Sequence, residues 1–334
     1  RGVISRDEVL WLCSKNESDK QILSGNRISY EAIPSGKLRR YFSLKNAEDI
    51  FRCFAGFIRS LKLLSSKRPQ CVFSKGGYVS VPAAYAAALL GIPVVSHESD
   101  IDPGLSTRIN QRASRRICVP FEASRRYYRN PDQVVVTGNP VTRKPAGGDG
   151  SLPVEVPDHL PCILIHGGSL GSYSLNTVVW ELLEGIPEGI SVVHVTGRGE
   201  RRSPPAREGY YPVDYLEGGF HRMLKRSDLV ISRAGAGSLW EQAAAGKAMI
   251  LLPLGRRISR GEQERNARYF AEHDAALCFY DDAIDTQRVI RDILRLLQEP
   301  DRRRELSENA ASLIHDKGSE RIAEVLQEYL VSGE

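Results

Sequence analysis

No apolar run in this chain approaches the roughly 18 residues that a membrane-crossing helix needs, so no stretch of it reads as a spanning segment. Cysteine is scarce and scattered. Cys13, Cys53, Cys71, Cys118, Cys162 and Cys278 form no C-x-x-C and no zinc-type spacing. Each falls in or beside an apolar stretch and reads as a reduced core thiol of a cytosolic protein. The histidines show no H-x-x-x-H, so neither a metal nor any other cofactor is expected. Two nucleotide signatures are also missing. There is no G-x-x-x-x-G-K-[ST], which excludes a P-loop ATPase. Gly235-Ala236-Gly237 runs on to Trp240 where a third glycine would complete G-x-G-x-x-G, which disfavours a nicotinamide dehydrogenase. Charge of one sign is in short supply too. Forty-six Lys+Arg against 41 Asp+Glu leave +5, too small an excess to argue a nucleic-acid partner, although a local cluster would still favour anions or a membrane surface.

What is present is alternation. Short, β-branched, non-alternating runs end in Gly or polar turns: Val72-Phe73, Pro93–Val95, Val134–Val136, Cys162–Ile165, Val192–Val195, Leu229–Ile231 and Met249–Leu252. Such runs are what parallel strands buried on both faces look like. Helical stretches such as Ala83–Leu90, Leu239–Ala245 and Gln263–Glu272 lie between them, which predicts an α/β fold. The 334 residues allow about two domains. The Gly- and Pro-rich stretch Lys144–Pro153 is the expected linker, dividing residues 1–145 from 151–334. The halves echo each other. Ser74-Lys75-Gly76-Gly77 and Ser232-Arg233-Ala234-Gly235 each follow a strand and precede an Ala-rich helix that ends at Gly91 or Gly246. Twin Rossmann-like domains facing a cleft are expected, with the charged run Arg302–Tyr329 as exposed helices. The chain begins Arg1-Gly2-Val3, which reads as the end of a helix, so an N-terminal piece is expected ahead of it.

Three Gly-rich turns stand where strands meet helices: Gly76–Ser80, His166–Ser172 and Arg233–Ser238. At such turns backbone N–H groups hold phosphate and Gly permits close approach. Ligands of open α/β sheets bind at those strand ends. His97-Glu98, closing a strand and followed by Asp100 and Asp102, is where a general base belongs. Glu241 stands where it can accept hydrogen bonds from ribose hydroxyls, and Glu262-Gln263 where they can hold sugar hydroxyls. Gly167–Gly171 also satisfies the G-x-S-x-G of a hydrolase nucleophile elbow at Ser169. Ile50, Phe51, Phe54, Phe57, Ile58 and Leu61 fall at helical spacing among Arg52, Arg59, Lys62 and other basic residues. That stripe reads either as core or as a face for an anionic membrane.

Ser35–Ser43, Phe73–Pro82, Gly91–Asp100, Thr137–Val141, His166–Gly171 and Ser232–Ser238 together resemble, in collinear order, the MurG family of bacterial transferases. These add N-acetylglucosamine to undecaprenyl-diphospho-muramoylpentapeptide (lipid I) to make lipid II of peptidoglycan. The resemblance implies the GT-B fold and an inverting, metal-independent reaction at the cytoplasmic face of the cell membrane, to which the protein binds peripherally. It implies a lipid-diphosphate acceptor on the N-terminal half, lined by Gly76, Gly77 and Tyr78. UDP-N-acetylglucosamine is implied on the C-terminal half. Ser169 would touch the donor diphosphate, the Glu217 backbone the uracil, Ala236, Gly237 and Ser238 the phosphates and sugar, and Glu241 the ribose. Glu262 and Gln263 stand where the family often has Gln-Gln. Asp100 replaces a frequent Asn near the transferred sugar, and Arg143 follows Thr142 where an Arg is usual. The family's first Gly-rich loop, which carries a histidine implicated in catalysis, would lie ahead of Arg1. Without that loop the chain is not expected to be fully active, and His97 and Glu98 are the base candidates within it. A UDP-sugar 2-epimerase of the same architecture, a serine hydrolase using Ser169 and a non-catalytic sugar-nucleotide binder remain open alternatives.

Overall fold

The computed structural model describes residues 4–36, 45–141, 152, 154–168, 172–216, 219–255, 259–280, 284–315 and 317–330, with side chains undescribed at 18 and 45–47. The chain divides into two compact units: Arg1–Glu98 with Asp102–Thr137 and Glu320–Glu334, and Ser99–Ile101 with Gly138–Ser319.

The first unit opens with β1 (Leu10–Cys13), α1 (Glu17–Gly25) and β2 (Ser29–Ala32), a parallel pair joined through a helix. Then come α2 (Lys45–Lys67), β3 (Val72–Ser74), α3 (Ser80–Leu89), β4 (Val94–His97), α4 (Leu105–Asn110), β5 (Arg116–Val119) and β6 (Val134–Val136). The last four strands pair in parallel in sequence order. Neighbouring residues of β4 face opposite ways. Val94 packs with Leu64 and the α3 alanines, and Val95 with Cys118. This is the period of two in a strand covered on both sides.

α3 turns Ala83, Ala84, Ala86 and Ala87 inward, and such small side chains let α2 approach closely. At the contact, a methyl group on Gly56 would lie 2.0 Å from the Pro34 carbonyl oxygen and 3.3 Å from the Pro82 ring. Gly56→Ala is therefore expected to lower the unfolding free energy by about 1–3 kcal/mol through overpacking. Urea unfolding measures it, and a change under about 0.5 kcal/mol would contradict so tight a seat.

The apolar stripe of α2 divides between its two readings. Phe57, Leu61 and Leu64 pack into the core, whereas Ile50, Phe51, Phe54 and Ile58 are 59%, 75%, 63% and 37% exposed. Two of the flanking cations are already paired, Arg52 with Glu48 at 2.5 Å and Arg59 with Glu31 at 3.1 Å.

The second unit contains β7 (Cys162–His166), α5 (Tyr173–Leu183), β8 (Ser191–Val195), β9 (Tyr210–Val213), α6 (Phe220–Arg226), β10 (Leu229–Ser232) and α7 (Ala236–Ala244). It continues with β11 (Met249–Leu251), α8 (Glu262–Glu272), β12 (Leu277–Cys278), α9 (Thr286–Gln298) and α10 (Pro300–Leu313). Six parallel strands lie in the order β12-β11-β10-β7-β8-β9. Ile163, Ile165 and Val192 face one core layer; Leu164, Val193 and Val195 face the other.

The closing helix corrects the expected boundary. α11 (Gly318–Leu330) packs Ile322 and Val325 on Val95 and Cys118, so the second unit does not run to 334. That face of β4–β5 needs an apolar cover, and α11 supplies it. Nor are the C-terminal helices simply exposed, since α10 buries Leu306 and Ala310. The first unit gives way to the second at Thr137–Gly138, ahead of the Gly- and Pro-rich stretch.

Candidate active site

The six-strand order is that of a doubly wound sheet, with its reversal between β7 and β10. In sheets of this order the loops leaving the two strands at the reversal diverge, and the crevice between them lies at the strands' carboxyl ends. His166 and Ser232 pair in register there, which brings together the turns that begin at His166 and Arg233. α7 starts at once. Its N-cap Gly235 gives no side-chain cap, so the first-turn N–H groups of Ala236, Gly237 and Ser238 are left for another acceptor. A Cβ on Gly235 or Gly237 would meet nothing within 4 Å. Open N–H groups at the positive end of a helix suit a phosphate.

Arg233 adds charge beside them. It is 6% exposed, and its guanidinium donates to Ser172 Oγ (3.3 Å), Ser174 Oγ (2.7 Å) and the Leu252 carbonyl (2.6 Å), all neutral. Among the described residues no carboxylate pairs with it. Burial lowers its pKa to about 10, so it stays charged at neutral pH. A buried cation lacking a counter-charge is costly unless an anion serves it. The same side chain ties the start of α5 to the end of β11.

Below the crevice, His166 is fully buried and pushed down to about 4 by desolvation, hence neutral. Its Nδ1 accepts from the Gly168 N–H at 3.3 Å, and its Nε2 lies 2.9 Å from the Gln242 amide. A neutral imidazole accepting at Nδ1 carries its proton on Nε2. Gln242 in turn meets Ser232, whose Oγ lies 3.0 Å from its Nε2 and 3.2 Å from its Oε1. Glu241, half-buried, has its carboxyl raised by desolvation, and among the described residues no hydrogen-bond donor meets it.

α8 begins after Gly261, whose φ is 81°. Gln263 Oε1 accepts the Leu254 N–H at 3.0 Å, which fixes the loop after β11. Glu262 Oε2 is buried with no hydrogen-bond partner among the described residues. One turn on, Asn266 Nδ2 donates to Asp100 Oδ1 (2.8 Å) and the Ala234 carbonyl (3.2 Å), and its Oδ1 accepts the Ile101 N–H (3.0 Å). Asp100 is thus brought to Glu262, Gln263 and the α7 turn by a residue with no local sequence signal. Ser169, Glu217 and Arg143 lie outside the described residues.

In the first unit, Gly76 and Gly77 have φ of 81° and 76°, a left-handed pair that other residues resist. Asn110 Nδ2 holds this turn by donating to Ser74 Oγ and Ser80 Oγ, and Ser80 Oγ donates to the Gly77 carbonyl. Tyr78 is half-buried in the same turn. His97 is 1% exposed and Glu98 9%. Lys75 Nζ stands 2.9 Å from His97 Nδ1, and Glu98 Oε2 accepts the Gly104 N–H at 3.0 Å. The double-glycine turn, His97 and Glu98 therefore gather at the carboxyl ends of β3 and β4, as the sequence suggested. Lys75, Arg233 and Asn266 are the additions. Both cations were visible as charges directly after apolar strands, whereas Asn266 had no such mark.

The glycosyltransferase family 28 N-terminal domain matches residues 1–119, and the family 28 C-terminal domain matches residues 162–324. A Legionella pneumophila (strain Paris) protein named UDP-N-acetylglucosamine–N-acetylmuramyl-(pentapeptide) pyrophosphoryl-undecaprenol N-acetylglucosamine transferase is 34% identical over 324 residues, 96% of this chain and 88% of its own length. A Clostridium tetani protein of the same name is 33% identical over 326 residues, covering 96% and 90%. Among solved structures, Acinetobacter baumannii MurG superposes with a TM-score of 0.74 at 24% identity, covering 96% of this chain and 90% of that one. A Neisseria meningitidis UDP-GlcNAc 2-epimerase gives 0.63 at 17% identity, covering 94% and 90%. The structural likenesses speak for the fold alone.

Proposed function

The chain belongs to the MurG family of N-acetylglucosaminyltransferases, and from that premise we propose that it transfers N-acetylglucosamine from UDP-N-acetylglucosamine to undecaprenyl-diphospho-muramoylpentapeptide, lipid I, giving lipid II for peptidoglycan. The observation that carries the donor assignment is the start of α7, which has no side-chain cap, beside Arg233, which meets no carboxylate among the described residues. UDP departs with growing negative charge, and oriented N–H dipoles with a fixed cation stabilise that charge without having to reorganise. Ala236, Gly237 and Ser238 receive the diphosphate, Glu241 the ribose, and Glu262, Gln263 and Asp100 the sugar hydroxyls. Ser169, Glu217 and Arg143 keep their family-derived donor roles. The acceptor diphosphate lies on Gly76, Gly77 and Tyr78. Its 4-hydroxyl attacks the anomeric carbon opposite the leaving UDP in a single displacement, which inverts configuration.

The acceptor is lipid-linked, yet among the described residues no helix is long and apolar enough to cross a membrane. We place the chain peripherally on the cytoplasmic leaflet, with the exposed face of α2 against an anionic surface. The 2-epimerase alternative shares only the fold with this chain, and the hydrolase alternative rests on Ser169 alone.

Radiolabelled UDP-N-acetylglucosamine with a lipid I analogue tests the reading: labelled disaccharide-lipid supports it, whereas epimerised nucleotide without transfer overturns it. Donor binding gives a second check. Glu241→Ala should weaken UDP-N-acetylglucosamine by about 1.5–3 kcal/mol, the range for hydrogen bonds to a charged group. Unchanged affinity by calorimetry would remove Glu241 from the site.

A further inference from the structure

The register of the first sheet places an ammonium against a buried imidazole. Ser74 pairs with Ser96, so the next residue of β3's exit and the last of β4, Lys75 and His97, meet just past the paired strands. Lys75 Nζ and His97 Nδ1 are 2.9 Å apart. We propose that Lys75 is a positioning residue that holds His97 as its Nε2–H tautomer, making His97 a hydrogen-bond donor in the acceptor site and leaving Glu98 as the proton acceptor of the pair.

The chemistry follows from the donor inventory. An ammonium has N–H groups and no lone pair, so the nitrogen facing it must accept. A neutral imidazole has one such nitrogen; with Nδ1 accepting, the proton sits on Nε2. An imidazolium would oppose N–H to N–H at 2.9 Å and set two cations side by side where His97 is 1% exposed. The ionisable groups around the pair favour the same state. Desolvation lowers the Lys75 pKa, and the nearby Glu98 carboxylate opposes that lowering. Cys118 on β5 is held as a thiol, pushed up to about 12 by burial, and Tyr128 is likewise held neutral. Asp102 is answered by Arg108 at 3.4 Å. A ring with Nε2–H donates to a phosphate or hydroxyl oxygen but cannot take a proton from a hydroxyl. A carboxylate has only acceptor sites, so Glu98, which also accepts the Gly104 N–H, is the member of the pair whose chemistry suits it to take a proton.

This assignment rests on the transferase reading for its meaning, but the tautomer is measurable without substrate. The full chain is labelled with ¹⁵N-histidine and recorded by long-range ¹H–¹⁵N correlation at pH 7.5; disappearance of one of seven ring systems in His97→Gln identifies the residue. The expected pattern is protonated Nε2 with bare Nδ1. Lys75→Met should shift the Nδ1 resonance and admit the other tautomer, whereas Lys75→Arg, which still donates, should keep the wild-type pattern. An Nδ1–H tautomer or an imidazolium in the wild type overturns the proposal, as does a His97 spectrum indifferent to Lys75→Met. Should Lys75→Met fail to fold, the wild-type pattern decides alone. Failure of the transferase reading would appear separately, as absent turnover with the tautomer intact.

Discussion

Phe51→Ser with Phe54→Ser should reduce partitioning onto anionic vesicles by about 1,000-fold while leaving UDP binding intact. The two rings are 75% and 63% exposed and project from the outer face of α2. Inserting a Phe side chain into an apolar phase contributes about 2 kcal/mol, so two amount to about 4 kcal/mol, a factor near 10³. The cationic contribution is smaller. Lysine or arginine near an anionic leaflet adds about 1 kcal/mol each at low salt, but Arg52 and Arg59 are partly answered by Glu48 and Glu31. Neutralising Arg52, Arg59 and Lys62 as Gln should therefore weaken binding less than the Phe pair does at about 0.15 M salt, where exposed charges are screened within about 8 Å. Vesicle sedimentation distinguishes the terms. Wild-type protein that ignores anionic vesicles even at low salt would end the membrane assignment for α2.

Glu98→Gln is expected to lower kcat by about 10²–10⁴, the usual contribution of a positioned base, with little change in KM. Glutamine retains the shape and can still accept the Gly104 N–H, but it cannot take a proton from the acceptor hydroxyl. His97→Gln should cost far less, about tenfold, because its amide keeps a donor near the position of Nε2–H. The pair is measured as kcat and KM for the lipid acceptor across pH 6–9. A thousandfold loss for His97→Gln with a mild Glu98→Gln would exchange the two roles and return the base to the imidazole.

Much of this site was legible without coordinates. The left-handed Gly76-Gly77 turn, the His97-Glu98 strand end and the Gly235–Ser238 turn each depend on residues a few positions apart, and local spacing records such features. The strands that escaped notice explain themselves in the same terms. β5 follows Arg115 and begins at Arg116, which masks its apolar core. β9 contains Pro212, tolerated because it lies at the edge of the sheet. β12 spans two residues, too short for any period, and β2 alternates polar and apolar residues beside a single partner, β1.

The sequence by itself determined a parallel α/β chain with two similar halves and Gly-rich turns at strand ends, because buried parallel strands require short β-branched runs and phosphate turns require glycine. Only the tertiary structure decided which strand ends become neighbours. β7 sits beside β10 across 66 residues of chain, as Cys162 and its partner Asp228 show, and that adjacency makes the crevice. It also carried α11 back to the first unit, joined Asn266 to Asp100, set Arg233 among neutral partners in the described residues and set Lys75 against His97. It divided α2 into a core face and an exposed one. Each of these is a pairing between distant segments, selected by which apolar faces must be covered and which buried polar groups must be satisfied. Local periodicity encodes the faces but not their partners.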